Sequence, residues 1–248
     1  MLHRKQLTLL AFGLAAVLSA SAPSIPAWAD AWEKNASGSY VSSDGSVLTG
    51  ITARGVDISN RQQNINWNMA AADDISFVML GCRYNNTVDP SFGSHATGAF
   101  NAGIRVGAYL YSYATTTEMA EQEADFVLNL IKDYPISYPV VLDVESEQMS
   151  ALTPSQLSDV INAFCQKIEN AGYYPMIYTN DYWLANKIDM SKVHYDVWVA
   201  RFGAKPAYQN AAMWQATNQG QVNGITGNVD INFSLKNMTD KLPADRWR

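Results

Sequence analysis

The stretch from Tyr138 to Glu147 reads YPVVLDVESE, and it decides the fold that we expect for this chain. A short apolar run after Pro139 leads into Asp143 and Glu145, which is typical of a strand covered on both faces in a parallel sheet. Because side chains alternate along a strand, Val141, Asp143 and Glu145 share one face, with the two acidic Cα atoms roughly 6.6 Å apart. The stretch therefore predicts a buried strand that ends in paired carboxylates. The alternative is a strand that runs out into a solvated acidic loop.

Strand-like and helix-like segments alternate on both sides of this stretch, which is the pattern of βα repeats in a parallel sheet. The clearest helix follows residue 115: Thr117 can cap it, and apolar residues recur at helical spacing from Ala120 to Ile131. Beyond Ala200 the helical patterns stop. In chain order, the sequence predicts strands over 53–58, 75–82, 104–113, 138–145, 174–179, 193–200, 212–216 and 228–231, and helices over 67–72, 90–102, 115–132, 153–171 and 181–186.

This order amounts to about five βα units followed by three strands with few helices. Closing such a sheet removes its edges and favours a barrel. An open doubly wound sheet is the alternative, but it usually carries a glycine-rich phosphate loop after the first strand, and GVDISNRQQ is no such loop. The sequence therefore predicts a single α/β domain over residues 51–248, a modified TIM-like barrel.

The first 29 residues have the composition of a secretory signal peptide. A basic start, MLHRK, precedes the apolar segment LTLLAFGLAAVLSA, and Ala27-Trp28-Ala29 forms a small-x-small cleavage site. We therefore expect a secreted protein; the alternative is an uncleaved membrane anchor, although the apolar run is shorter than the ~20 residues that span a bilayer. Residues 30–50 are rich in Ser, Gly and Asn and lack a regular period, so we expect a short exposed lead-in segment.

Charge and side-chain chemistry exclude several classes of function. The chain has 17 basic and 23 acidic residues, and loss of Arg4 and Lys5 with the signal peptide leaves a net charge of −8. Such a surface is a poor partner for nucleic acid, and no basic run interleaved with aromatic residues is present. No spacing of His, Cys and carboxylates resembles a metal site, so we expect neither a metal nor a cofactor. We expect a monomer without stable membrane insertion.

The cysteines and histidines after the signal peptide have structural patterns. Cys82 lies in an apolar strand-like run and Cys165 on the apolar face of a helical pattern, so we expect two buried thiols, with a disulfide as the alternative. His95 falls within a predicted helix and His194 begins a strand. Neither has a serine nucleophile on an elbow motif as a partner, which argues against a Ser/His/Asp hydrolase.

Four carboxylates fall where parallel barrels carry catalytic groups, at the C-terminal ends of strands. Asp57 ends the first predicted strand and Asp230 the last, while Asp143 and Glu145 end the fourth. Because the first and last strands of a closed barrel are neighbours, we expect Asp57 and Asp230 to stand side by side. All four are candidate catalytic residues, although Asp57 and Asp230 could instead bond nearby backbone or cap a helix.

Aromatic residues near strand ends are candidates for binding a ligand by stacking. Aromatic residues make up 11% of the chain, so many of them belong to the core. Arg201, just past a strand, could meet an acidic group of the substrate or simply be a surface arginine. The candidate substrate-binding residues are Tyr109, Tyr178, Trp198 and Trp214.

A set of short motifs follows one order from Arg54 to Leu235. The motifs are GVDIS, an early Trp67, VDPSF, AGIRVGAYLYS, YPVVLDVES, YYPMIYT, VWVA, MWQAT and VDIN. Together they resemble glycoside hydrolase family 25, the Chalaropsis-type lysozymes. The resemblance implies a modified barrel with eight strands and five helices, in an enzyme that cleaves the β-1,4 bond between N-acetylmuramic acid and N-acetylglucosamine in peptidoglycan.

The resemblance also implies roles for the acidic residues. Glu145 matches the general acid, and Asp143 matches the carboxylate that supports a substrate-assisted step through an oxazolinium ion. Asp57 and Asp230 match the other acidic positions. The segment GCRYNN at residues 81–86 departs from the Lys-Ala-Thr-Glu-Gly type segment of many members, which affects sugar recognition and not the acid pair.

The chemistry requires an acid that still holds its proton near neutral pH. A free Glu is ionised there, so Glu145 needs a raised pKa, which we expect from repulsion by three Asp neighbours and from the low-dielectric wall, with Asp143 ionised. A chitinase-like glycosidase is one alternative, but its DxxDxDxE series would need acids where Val141 and Pro139 stand. A non-catalytic carbohydrate-binding barrel is another, and the presence of Glu145 argues against it.

Overall fold

The computed structural model describes residues 32–238, and the predicted signal peptide lies outside the described residues. Within residues 32–238 no helix has the length and apolar character that crossing a bilayer requires. The strands are β1 (Ala53–Ile58), β2 (Phe77–Gly81), β3 (Arg83–Tyr84), β4 (Thr87–Val88), β5 (Arg105–Tyr111), β6 (Ile136–Asp143), β7 (Pro175–Asn180), β8 (Asp196–Ala200), β9 (Met213–Gly220) and β10 (Val229–Ser234). The helices are α1 (Trp67–Ala72), α2 (Phe92–Asn101), α3 (Thr117–Ile131), α4 (Glu147–Ser150), α5 (Pro154–Asn170) and α6 (Asp181–Asn186).

Eight of these strands close into one barrel in the order β1-β10-β9-β8-β7-β6-β5-β2, and β3 and β4 form a separate two-stranded hairpin. Strand β10 is antiparallel to both of its neighbours, β1 and β9. The other pairings in the barrel are parallel. Strand–helix units come first, and β8, β9 and β10 then close the barrel without helices between them. The predicted modified TIM-like barrel is confirmed, and the open doubly wound sheet is excluded.

Strand β6 shows how the sequence builds the barrel wall. All eight of its residues are buried, as expected for a strand covered on both faces. Val141 packs inside the barrel with Phe77 and Met79. Leu142, on the opposite face, belongs to the larger apolar cluster that includes the inward faces of α3 and α5. The alternation predicted for this stretch is confirmed, and it directs the Asp143 side chain into the barrel.

Local hydrogen bonding fixes where the long helices begin. The Thr116 side chain accepts a hydrogen bond from the Met119 backbone N–H at the start of α3, so the cap lies one residue before the predicted Thr117. Helix α5 begins with a capping box between Thr153 and Gln156. These two helices pack against each other on the outside of the barrel, where α3 contacts β5 and α5 contacts β6 and β7.

The outer face of β9 and β10 has an N-terminal cover. Trp32 is only 2% exposed, and its ring lies 5.4 Å from that of Trp214 and 6.2 Å from that of Phe233. The Tyr40 ring lies 5.3 Å from that of Phe233. The expectation that residues 30–50 are only an exposed lead-in is therefore wrong for Trp32, because an apolar sheet face without a helix needs another element to cover it.

Both cysteines are free and buried. Cys82 and Cys165 therefore form the two separate thiols that the sequence predicted, and the disulfide alternative is excluded. Burial raises the pKa of each thiol above its usual range, which keeps the reactive thiolate form disfavoured.

Candidate active site

A cavity of about 690 Å³ opens at the end of the barrel where the parallel strands finish. Asp57, Asp143, Glu145 and Asp230 all line it, so the structure brings the four predicted acidic residues together. One detail differs from the sequence expectation. Asp230 lies at the start of β10 and not at its end, because this antiparallel strand begins at the rim where the parallel strands finish.

Asp57 and Asp230 form a pair held by amide side chains. Their Cα positions are partners in the register of β1 and β10. Gln215 Nε2 donates to Asp57 Oδ2 at 3.0 Å and to Asp230 Oδ2 at 3.2 Å. Asn232 Nδ2 also donates to Asp57 Oδ2, at 2.7 Å. Hydrogen bonds of this kind to an ionised acceptor are strong, and they favour negative charge on Asp57.

The two amide donors are themselves oriented by aromatic residues. The Tyr178 hydroxyl donates to Gln215 Oε1 at 2.8 Å, and Trp198 Nε1 donates to Asn232 Oδ1 at 2.9 Å. Because each amide oxygen accepts from an aromatic donor, each amide nitrogen faces the acidic pair. Tyr178 and Trp198 thus orient the polar residues that form the floor of the cavity, namely Gln215, Asn232 and the acidic pair, and they also fill space there.

Burial sets the protonation of the acidic pair. It raises the pKa of Asp57, although the donors from Asn232 and Gln215 oppose this. Burial, followed by the charge of Asp57, raises the pKa of Asp230 to about 9. A hydrogen bond between the two carboxyls raises the pKa of Asp230 and lowers that of Asp57. The pair therefore shares a proton near neutral pH, and it titrates as a unit.

Asp143 is buried without a full set of partners. Its side chain lies among residues of the barrel interior at 6% exposure, and Oδ1 has no hydrogen-bond partner among residues 32–238. Burial raises the pKa of Asp143 well above its usual value, and the charges of Glu145 and Asp57 add to this. Each of these causes favours the protonated form, which opposes the ionised state that we expected for Asp143.

Glu145 lies at the mouth of the same cavity, exposed to solvent. Partial desolvation by the cavity walls raises its pKa. The predicted direction of this shift holds, but the predicted main cause does not, because repulsion by neighbouring carboxylates acts on the more deeply buried Asp143. An accessible carboxyl with a raised pKa is suited to giving a proton to a bound molecule.

Three of the four predicted sugar-binding aromatic residues line the cavity: Tyr109, Tyr178 and Trp198. The Trp198 ring meets the Tyr178 ring at 4.6 Å and the Tyr109 ring at 6.2 Å. The prediction for Trp214 is wrong. Strand alternation turns Gln215 into the cavity and Trp214 to the outside, where it is fully buried beside Trp32.

Other candidates from the sequence lie away from the cavity. Arg201 forms an ion pair with Asp181 at 3.2 Å. His95 is buried with its ring 5.7 Å from that of Trp67, and His194 is exposed. Among residues 32–238 no three His, Cys, Asp or Glu side chains are arranged to hold a metal ion.

Sequence reasoning missed most of the uncharged polar and basic residues of the site, among them Gln215, Asn232 and Arg61. Strand parity was the available signal for Gln215 and Asn232. Asn232 follows Asp230 by two positions on one strand, and Gln215 follows the inward-facing Met213 by two. Arg61 lies on a loop, where no periodicity indicates direction.

A closed β/α barrel with a carboxyl-lined cavity at its C-terminal end is an arrangement found in glycoside hydrolases. A family model described as glycosyl hydrolases family 25 matches residues 56–225, which is more than half of the chain. The chain belongs to this family, as the ordered motifs implied, and it is a glycoside hydrolase.

Characterised relatives and a solved structure agree with this assignment. Lysozyme M1 of Streptomyces globisporus is 27% identical over 196 residues, covering 72% of this chain and 66% of the relative. The N,O-diacetylmuramidase of Chalaropsis sp is 28% identical over 208 residues, covering 72% of this chain and 96% of the relative. The crystal structure of the bacterial lysozyme from Streptomyces coelicolor is 25% identical, with a TM-score of 0.60 over 73% of this chain and 90% of that one.

Proposed function

We propose that this protein is a secreted muramidase that hydrolyses the β-1,4 bond between N-acetylmuramic acid and N-acetylglucosamine in peptidoglycan. The observation that carries the proposal is the placement of accessible Glu145 and buried Asp143 in one polar cavity. The names of the matched relatives, a lysozyme and a diacetylmuramidase, support this substrate. The signal pattern of residues 1–29 supports export, and we propose a monomer that acts on glycan strands at the cell wall.

Glu145 is the proposed general acid. Its raised pKa increases the fraction that holds a proton near neutral pH, and its exposed position lets a glycosidic oxygen approach. In the first step, the carbonyl oxygen of the 2-acetamido group attacks C1 of its own sugar. The bond from C1 to the leaving oxygen breaks, and the Glu145 proton moves to that oxygen.

Asp143 is the proposed stabiliser of the resulting oxazolinium ion. Its unpartnered Oδ1 would accept a hydrogen bond from the acetamido N–H of the bound sugar. The positive charge that develops on this group favours the ionised form of Asp143, which opposes the effect of burial. In the second step, Glu145 takes a proton from water as the water oxygen attacks C1. The oxazolinium ring opens, and Glu145 is again in its protonated form.

We propose that Asp57 and Asp230 contact the sugar and keep negative charge beside it. The apolar walls of the cavity are Tyr109, Tyr178 and Trp198. The shared proton of the acidic pair limits the negative charge in the floor, so the four carboxyls need not all be ionised. Their fixed amide donors keep the pair in place before a substrate arrives, which reduces reorganisation during the reaction.

The test is a turbidity assay on purified bacterial walls, followed by mass analysis of the released fragments. A muramidase leaves N-acetylmuramic acid at the new reducing ends. N-acetylglucosamine at those ends would instead indicate a glucosaminidase, and release from chitin oligomers would indicate the chitinase-like alternative. Binding to walls with no released fragment would indicate the non-catalytic barrel and refute the proposal.

A further inference from the structure

The cavity wall carries two arginines with different surroundings, Arg61 and Arg83. Arg83 is engaged: its guanidinium donates to Glu123 at 2.9 Å and lies over the ring of Phe126, 5.3 Å from the ring centre. Arg61 is exposed, and its guanidinium makes no hydrogen bond or ion pair within residues 32–238. Among the residues that line the cavity, Arg61 is thus the cation available to a ligand.

The loop that carries Arg61 is fixed to the barrel. The Asn60 backbone N–H donates to Asp89 Oδ2 at 2.8 Å, and Asp89 is only 2% exposed. The loop also closes on itself, since the Gln62 backbone N–H donates to the Ser59 carbonyl at 3.1 Å. The anchored backbone presents Arg61 at the rim beside the acidic pair, where its charge lowers the pKa of Asp230.

We propose that Arg61 binds a carboxylate on the peptide arm that the muramic acid unit carries, an inference that rests on the proposed function. The negative charge that remains on the acidic residues of the cavity repels an anionic ligand, so a substrate with acidic arms benefits from a cation at the rim. A guanidinium pairs with a carboxylate through two parallel hydrogen bonds, and Arg61 is free to do so. The acetylated sugars are uncharged, which leaves the peptide carboxylates as the partner.

Two ligands that differ only in charge test this. One is a peptidoglycan tetrasaccharide with its peptide carboxyls free, and the other is the same molecule with those carboxyls converted to primary amides. Binding is measured by calorimetry in the Glu145→Gln background, so hydrolysis does not interfere. We expect the free acid to bind about three- to tenfold more tightly, the size of an exposed to partly desolvated ion pair.

Adding Arg61→Gln should remove this preference, and Arg61→Lys should keep part of it. Arg201→Gln is the matched control, because Arg201 is exposed and paired with Asp181 away from the cavity. It should keep the full preference. Thermal unfolding of each variant checks that folding is intact.

Equal binding of the two ligands before the Arg61 change would overturn the proposal, as would a preference that survives Arg61→Gln. Equal weakening of both ligands would also overturn it, since Arg61 would then act through Asp230 or the loop. The proposed function itself is tested separately, by measuring whether the wild-type protein cleaves the amidated ligand. Cleavage without any charge preference would leave the muramidase proposal standing and remove the role of Arg61.

Discussion

The two sides of the barrel hold their acidic residues in different ways. On the antiparallel side, Asp57 and Asp230 are neighbours in register and share the Gln215 donor, and Asp57 also accepts from Asn232. On the parallel side, Asp143 keeps an oxygen without a partner. Glu145 there is open to solvent at the cavity mouth. One pair is therefore satisfied by the protein, and the other is left for a ligand to satisfy.

This difference assigns separate tasks to the two pairs. A buried polar atom without a hydrogen bond costs about 1 to 3 kcal/mol, and a ligand that supplies the missing donor recovers part of that cost. Asp143 is in this state, so we expect substrate binding to depend on the hydrogen bond that it forms with a ligand. The satisfied pair of Asp57 and Asp230 gains less from a ligand and serves better as a fixed charge beside it.

The strongest test of the comparison is Glu145→Gln. We expect kcat on wall fragments to fall about a thousandfold, because proton donation to the leaving oxygen is lost. The control is Glu147→Gln, an exposed residue at the start of α4 that does not line the cavity. Near wild-type hydrolysis by pure, folded Glu145→Gln protein would contradict the assignment of the acid.

A smaller loss, about a hundredfold in kcat, is expected for Asp143→Asn, because charge stabilisation of the oxazolinium ion is removed. Folding stability should be unchanged or higher, since the variant no longer buries an ionisable group. Chemical unfolding and steady-state kinetics measure both effects. An equal effect of Asp143→Asn and Asp57→Asn on kcat would show that the two sides do not differ as we describe.

Trp32→Ala tests what covers the outer face of the antiparallel side of the barrel. This change removes the ring that covers Trp214 and Phe233, and we expect a loss of about 3 kcal/mol in the free energy of unfolding. KM and kcat should stay close to wild type, because the site lies inside the barrel. Phe202→Ala, at a residue that is 51% exposed, is the control. An unchanged unfolding midpoint for Trp32→Ala would mean that the N-terminal segment does not stabilise the antiparallel side.

Counted per pH unit, the smallest expected effect is in the pH dependence of stability. The folded-state pKa of Asp230 lies near 9, above the unfolded value near 4, so the folded protein holds a proton that the unfolded chain releases. Stability therefore falls as pH rises from about 4 to about 9, by up to about 1.4 kcal/mol per pH unit for one proton. Asp230→Asn should flatten this slope, and Glu121→Gln on exposed α3 surface should not. Urea titrations from pH 4 to pH 9 measure it, and parallel curves for Asp230→Asn and wild type would argue against the shared proton.

Strand parity predicted part of the site correctly and could have predicted more. Alternation along β6 placed Asp143 inside, and the closure of the barrel placed Asp57 beside Asp230. The same rule applied to β9 would have exchanged Trp214 for Gln215, but a large aromatic residue near a strand end resembles a sugar platform whichever way it faces. In a short strand without clear alternation, the sequence does not show which side chains face the barrel interior. Pairing with the neighbouring strands decides this, and the pairing is known only from the assembled sheet.

The sequence by itself determined the order of the eight barrel strands and of the helices other than α4, the closed barrel and the acidic residues that line the cavity, because these follow from periodicity and from where each strand ends. The β3–β4 hairpin and α4 were not predicted, because both are too short to show a period. Tertiary structure decided which carboxyls find donors, why Glu145 has a raised pKa and what covers the outer face at Trp32. These features depend on contacts between residues as far apart as Asp57 and Asn232, which are 175 positions apart along the chain. Local patterns carry no information on such contacts, since hydrogen bonding and desolvation depend on distances that exist only after the barrel has closed.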